Sequence, residues 1–351
     1  MKSVCSPRDN FLPAKKMKDR NAEKSQLCQI LMKVPFAAKC DVIQDTPQGF
    51  LARYELTDGT AHTLEAVVLP QSYPSVTLRT IQSKDGWQGC PVIISPYISP
   101  ETVALCAQHG VSCLDLAGNC RICFGMLYIM ETGHRNTVVR KPRRPAIFSP
   151  TTPISSTILR RMVADISQPW KLKNLSETLG CSIGLVHKVK TFLCDRLWAE
   201  STKDGLKLTN PEGLMKSWAR EYATAEPTVR RFQTDLTPDQ LEWRINEVRS
   251  QTGIRCWFTG ASAAAHYSDR PKPATFQGHV YPFRMNDFAQ ACGLREVKEG
   301  GNVVLHLIEQ PATLADAVEI NGSMLVSPAQ MYLDATDDAT RSLALKMIQG
   351  A

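Results

Sequence analysis

No stretch of the chain approaches the ~20 uninterrupted apolar residues that a membrane-spanning helix needs. No membrane partner is therefore expected. The first residues, MKSVCSPRDNFLPAKKMKDR, carry charge but lack the apolar run of a secretory signal, so a cytoplasmic protein is expected. The 12 cysteines lack a usable zinc spacing. Their tightest group is Cys106, Cys113, Cys120 and Cys123, and Cys120 and Cys123 fall three apart on an apparent strand. Such residues point to opposite faces, whereas zinc needs four converging ligands. Buried thiols are the expectation in a cytosolic chain, with no metal and no cofactor. Acidic residues are scarce between Glu131 and Lys173. There Arg135, Arg140, Lys141, Arg143, Arg144, Arg160, Arg161, Lys171 and Lys173 face only Glu131 and Asp165. That local excess of seven equals the formal +7 of all 351 residues. Clustered cations of this kind release counterions from DNA and set non-specific affinity.

What is present centres on Ser155–Leu208. Ile158, Leu159, Met162, Val163 and Ile166 recur at the three-to-four spacing of a buried helical stripe, and Leu172, Leu175 and Leu179 repeat it. Gly180 suits a left-handed helix stop, and Ser182 suits an N-cap. In the helix that follows, Val186, Val189 and Leu193 form a ridge, with Ile183 or Phe192 at its edge. Its other face carries Ser182, Gly184, His187, Lys188 and Thr191, which are small, polar or basic and suited to a major groove. Leu197 and Trp198, a Lys203-Asp204-Gly205 turn, then Leu206 and Leu208 around Lys207 predict a hairpin. Three helices and a hairpin make a winged helix-turn-helix. Lys203 and Lys207 on the wing, Lys173, and Arg140, Lys141, Arg143 and Arg144 ahead of it are the expected phosphate contacts.

The expected fold class is multidomain α/β. Residues 1–24 read as a basic tail, in which Lys15, Lys16, Lys18 and Arg20 are solvated or brush DNA. Residues 25–136 read as a mixed α/β domain: a helix over 25–32, a hairpin over 49–56 and 62–69, then helix, strand, helix, strand, with one long strand over 120–130. That order matches a restriction-endonuclease-like core, whose catalysis needs an Asp and a Glu-x-Lys pair around a metal. Asp58 and Glu65-Ala66-Val67 occupy the matching slots, and Val67 cannot activate water, so an inactive domain is expected. A metal-dependent nuclease using Asp58 and Glu65 is the alternative. Asp115 and Asn119 flank a glycine turn, where their side chains are expected to bond local backbone; the alternative is a patch that grips a partner.

Residues 137–152, basic and proline-rich without periodicity, read as a linker able to lie along DNA. The winged domain spans 153–226, closed by a helix over 211–222 with Leu214, Trp218 and Tyr222 on its apolar stripe. Residues 227–351 read as a C-terminal α/β domain. Gly260 and Ser262 at a strand-to-helix turn resemble the opening of nucleotidyltransferase folds. The next strand, 275–281, lacks the acidic pair that would hold magnesium, so close packing rather than catalysis is expected there.

Three stretches in order, PYISPETVALCAQHGVSCLDLAGNCRI, the winged helix with SIGLVHKV, and FTGASAAAHY with LVSPAQMYLD, resemble the AbiEi family. These are antitoxins and transcriptional regulators of type IV toxin–antitoxin systems. The resemblance covers the chain from about Pro91 onward. It implies a non-enzymatic, sequence-specific DNA-binding protein that represses its own operon and opposes a nucleotidyltransferase-like toxin. Double-stranded DNA is then the main partner, and a homodimer on an inverted repeat is expected. Unlike better-known members, this chain carries its winged helix centrally. A toxin-binding module for which DNA is incidental is the second alternative.

Overall fold

The computed structural model describes residues 20–84, 86–135, 147–148, 153–223, 228–308, 311–314 and 316–350. It is a mixed α/β protein that divides into two compact units, 1–142 and 143–351.

The first unit is built on a seven-stranded sheet whose strands are ordered as in the sequence. Helix α1 (Asn21–Leu31) precedes the antiparallel strands β1 (Ala37–Asp45), β2 (Gly49–Leu56) and β3 (Ala61–Val68). Helix α2 (Pro74–Gln82) crosses to β4 (Cys90–Ser95) and α3 (Pro100–Gln108) to β5 (Ser112–Asp115), both strands running parallel to their predecessors. Strands β6 (Cys120–Phe124) and β7 (Leu127–Glu131) close the sheet as a hairpin.

Side chains alternate across this sheet. Leu27, Ile30 and Leu31 of α1 pack on Phe50, Tyr54, Leu64, Val92 and Ile94 on one face. Val67, Ile93 and Cys113 meet Cys106 and Val103 on the other. The expected long strand over 120–130 is two strands, because Gly125 turns the chain at φ +54°. Strand β1 has no counterpart in the sequence reading, and α1 begins four residues before the expected start. Arg20, expected as a solvated or DNA-brushing cation, instead donates to the carbonyls of Thr46, Pro47 and Gly49 at the β1–β2 turn.

The second unit joins a run of three helices and a short hairpin to a second seven-stranded sheet. Helices α4 (Pro153–Ala164), α5 (Leu172–Thr178) and α6 (Ile183–Asp195) are followed by the wing, β8 (Ala199–Ser201) and β9 (Leu206–Leu208), and by α7 (Pro211–Ala223). Then come β10 (Val229–Gln233), α8 (Pro238–Thr252), β11 (Trp257–Phe258), α9 (Gly260–Tyr267), β12 (Phe276–Val280) and α10 (Met285–Ala291). Strands β13 (Arg295–Val297), β14 (Val303–Leu307), β15 (Val318–Ile320) and β16 (Ser323–Leu325) precede α11 (Pro328–Asp334) and α12 (Asp338–Gln349). The sheet order is β13-β10-β14-β12-β11-β16-β15. At Gly260, with φ +52°, a Cβ would come within 1.8 Å of Gln277 Oε1, so α9 lies close on β12 as the small residues there predict.

One apolar core runs through this whole unit, from Ile158 on α4 and Leu193 on α6 to Leu325 and Met331. The boundary expected near residue 226 therefore falls inside a single compact unit. The basic linker contributes too. Ile147 and Phe148 are buried, and Phe148 stacks on Trp218 at 5.8 Å while meeting Phe192 edge-on at 5.2 Å.

Polar groups cross the same joint. Asp334 on α11 accepts from Thr259 Oγ1 (2.6 Å), Gln330 Nε2 (2.8 Å) and Tyr222 Oη (3.1 Å), and its Oδ2 lies 2.6 Å from His279 Nε2. Gln330 in turn accepts from Arg160 Nη2 of α4 at 2.5 Å. Burial works against the Asp334 carboxylate, but the His279 ring and the Thr259 hydroxyl overcome it and hold its pKa well below the usual range. Helices α4, α7 and α11 and strand β12 thus share one buried hydrogen-bond system, in which Arg160 Nη1 and His279 Nδ1 have no partner among the described residues.

Candidate nucleic-acid interface

The α5–α6 turn is set by local chemistry. Gly180 takes φ +58°, and the Ser182 hydroxyl accepts from the Leu185 N–H at 3.3 Å, capping α6. Val186, Val189, Phe192 and Leu193 face the core. The opposite face is open: Ser182, Gly184, His187, Lys188 and Thr191 are all exposed. Ile183, at the first turn, is also exposed, at 48%. Ser182→Ala is expected to cost about 1 kcal/mol, the typical worth of an N-cap. For a unit of this size that lowers the melting temperature by roughly 2–4 °C, which differential scanning calorimetry would read.

The wing is held by backbone. Trp170 exchanges two N–H···O bonds with Leu206, at 2.8 and 2.9 Å, adding a third strand-like edge to β8 and β9. Gly205, at φ +144°, lies so close to Trp170 that a Cβ would stand 2.7 Å from its carbonyl. Thr202 Oγ1 accepts from the N–H groups of Asp204 and Gly205, each at 3.2 Å, and shapes the tip. Lys203 and Lys207 are exposed at this tip and strand. Neither they nor Lys188 have an ion-pair partner among the described residues. Lys173 is exposed on α5 and lies 3.8 Å from Glu177. Lys188, His187 and Thr191 are thus exposed on α6, and Lys203 and Lys207 on the β8–β9 hairpin. Arg140, Lys141, Arg143 and Arg144, like Lys15, Lys16 and Lys18, lie outside the described residues.

The local charge excess is smaller at the surface than in the sequence. Arg160 is 4% exposed, bonded to Gln330 and set over the Trp218 ring. Arg161 lies over Trp170 and 3.5 Å from Asp316. Both partners are distant in the chain, so nothing in the local sequence marks these two arginines as engaged.

The residues weighed for metal chemistry do not converge. Asp58 sits in the exposed β2–β3 turn, where its carboxylate accepts from the Thr60 N–H at 2.8 Å. Glu65 is buried mid-strand in β3 and accepts from the Gln88 N–H at 2.7 Å. A lysine does reach it, but it is Lys84, from just beyond α2, and it pairs with the carboxylate directly. Among the described residues no three His, Cys, Asp or Glu side chains are grouped to hold a metal. Cys120 is buried and Cys123 exposed. Asp115 is fully buried and accepts from the N–H groups of Ile98, Ala117 and Asn119 and from Asn119 Nδ2. Asn119 is further tied to the His134 backbone. The bonds from Ala117 and Asn119 are the local Asx bonding expected of the turn, while those involving Ile98 and His134 reach 17 and 15 residues along the chain.

No protein-family model, curated protein or solved structure matches the chain. No described helix is long and apolar enough to cross a membrane.

Proposed function

We propose that the protein is a cytoplasmic, non-enzymatic, sequence-specific DNA-binding regulator of AbiEi-antitoxin type. Helix α6 enters the major groove. Lys188 and His187 reach base edges, Gly184 and Ser182 allow close approach, and Thr191 and Ile183 meet polar edges and thymine methyl groups. Lys173, Lys203 and Lys207, with Arg140, Lys141, Arg143 and Arg144 ahead of α4, neutralise phosphates. A dimer on an inverted repeat, a nucleotidyltransferase-like toxin as partner, and an inactive restriction-endonuclease-like first unit belong to the same reading. The observation that carries it is the open, unpaired basic face of a capped helix standing beside an equally open wing. Lys84 on Glu65 supports the inactivity of the first unit, since that carboxylate is already neutralised where a nuclease would hold a metal.

The test separates base reading from phosphate binding. Lys188→Ala is expected to cost about 1–3 kcal/mol on the preferred site and to relax its base preference. Lys207→Ala is expected to weaken binding to all duplexes alike and to lower the log–log salt slope by about 1. Sequence selection from random duplexes, followed by salt-titrated anisotropy, reads both. Unchanged affinity in both variants rejects the docking geometry.

A further inference from the structure

A cavity of about 210 Å³ lies beside α8 and α9, away from the α6 face. Phe258 and Phe276 wall it as an edge-to-face pair, with ring centroids 4.8 Å apart, and Leu241 adds apolar surface. Its titratable lining is Glu242, His266 and Lys272. The Glu242 carboxylate is fixed in place. Its Oε1 accepts from the Ser323 hydroxyl at 3.0 Å and lies 3.4 Å from His266 Nε2, and Asn246 Nδ2 secures Ser323 at 3.0 Å. Burial opposes its charge, yet the bonds from His266 and Lys272 hold the Glu242 pKa down to about 2, so it is anionic across the physiological range.

Lys272 is a different kind of partner. It stands between Pro271 and Pro273 in the connection from α9 to β12, with its side chain 36% exposed. Its ammonium divides itself between Glu242 Oε2 and the exposed Asp239, each at 2.6 Å. The chain thus places its own alkylammonium group on a half-buried carboxylate at a cavity walled by two phenylalanines. That is the chemistry of organic-cation recognition, in which a carboxylate neutralises the charge and ring faces attract it.

We propose that this cavity binds a small organic cation, a primary amine on a compact apolar or aromatic body, whose ammonium takes the place of Lys272 on Glu242. On displacement Lys272 keeps its second partner, the exposed Asp239. An anionic ligand of the same shape is excluded, since it would confront a desolvated carboxylate.

Isothermal calorimetry on the full chain, with 2-phenylethylamine as probe and 3-phenylpropionate as its anionic counterpart, tests this. The amine is expected to bind and the acid not to. Lys272→Met removes the competing cation and is expected to tighten amine binding about tenfold. Glu242→Gln is expected to weaken it by at least about tenfold, the worth of one charge-assisted hydrogen bond. The proposal is overturned if neither the wild type nor Lys272→Met binds the amine, or if the acid binds as tightly. A Glu242→Gln protein with native circular dichroism and undiminished amine affinity overturns it as well.

Discussion

Asp334→Ala is expected to cost about 3–5 kcal/mol of unfolding free energy, the penalty for removing one member of a buried, charge-bearing hydrogen-bond system. The carboxylate is all but sealed from solvent and serves four partners, His279, Thr259, Tyr222 and Gln330. Its loss strands those donors in an apolar core, where each unsatisfied group costs about 1–3 kcal/mol. Against a total of roughly 5–15 kcal/mol for a typical protein, one substitution removes a large share. Because the network reaches Arg160 on α4 and Tyr222 on α7, helices α4 to α7 and the second sheet are expected to lose stability together. Urea titration followed by two probes, tryptophan fluorescence and far-UV circular dichroism, should show coincident transitions shifted to lower denaturant. A variant within about 1 kcal/mol of wild type would show that the apolar core alone holds the joint.

The second large effect is a loss of stability on mild acidification. His306 on β14 lies beside His279, with ring centroids 5.0 Å apart, and neither of its nitrogens has a hydrogen-bond partner among the described residues. Burial pushes its pKa down to about 4; His279 and Arg231 push the same way, and Asp334 opposes them. The folded state therefore prefers the neutral ring, while the unfolded chain protonates it near pH 6.5. As the pH falls below 6.5 the unfolded state takes up the proton first and stability declines. The loss is complete near pH 4 and amounts to about 3 kcal/mol. Asp334 adds a separate limb below it. With its folded pKa depressed, its contribution is present above the usual aspartate value near 3.8 and fades only at lower pH. Replacing His306 with Leu is expected to flatten the curve between pH 6.5 and 4 and to leave the lower limb in place. Parallel wild-type and variant curves across that window would show that His306 does not govern it.

Helices α4 to α6 and the β8–β9 hairpin were legible because their signals are local. Stripes at three-to-four spacing, a glycine stop, a serine cap and an Asp-Gly turn each act within a few residues. Ser182 does cap α6 and Gly180 does take a positive φ; Ser327 and Asp337 cap α11 and α12 by the same chemistry. What stayed hidden has distant causes. Strand β1 is an edge strand with most side chains exposed, so it lacks the alternation that marks a half-buried strand. Strand β10 reads VRRFQ and owes its place to pairing with β13 and β14 far along the chain. Gly125 alone marks the β6–β7 turn, with no Asn or Asp beside it. Arg160 looked like one more surface cation, and its partner Gln330 lies 170 positions away. Asp334 and His279 stand 55 apart at no spacing that a motif would record. Glu65 was noticed, but the lysine that meets it was sought two residues on rather than 19.

The two sheets also differ in when they can be completed on a ribosome. In the first, every strand bonds to the strand synthesised just before it, so the sheet can grow as the nascent chain emerges. In the second, β11 waits for β16, and Asp334 arrives later still on α11. A translation pause before Ser323 would leave a finished first sheet, and helices α4 and α7 whose buried polar partners Gln330 and Asp334 have yet to be made.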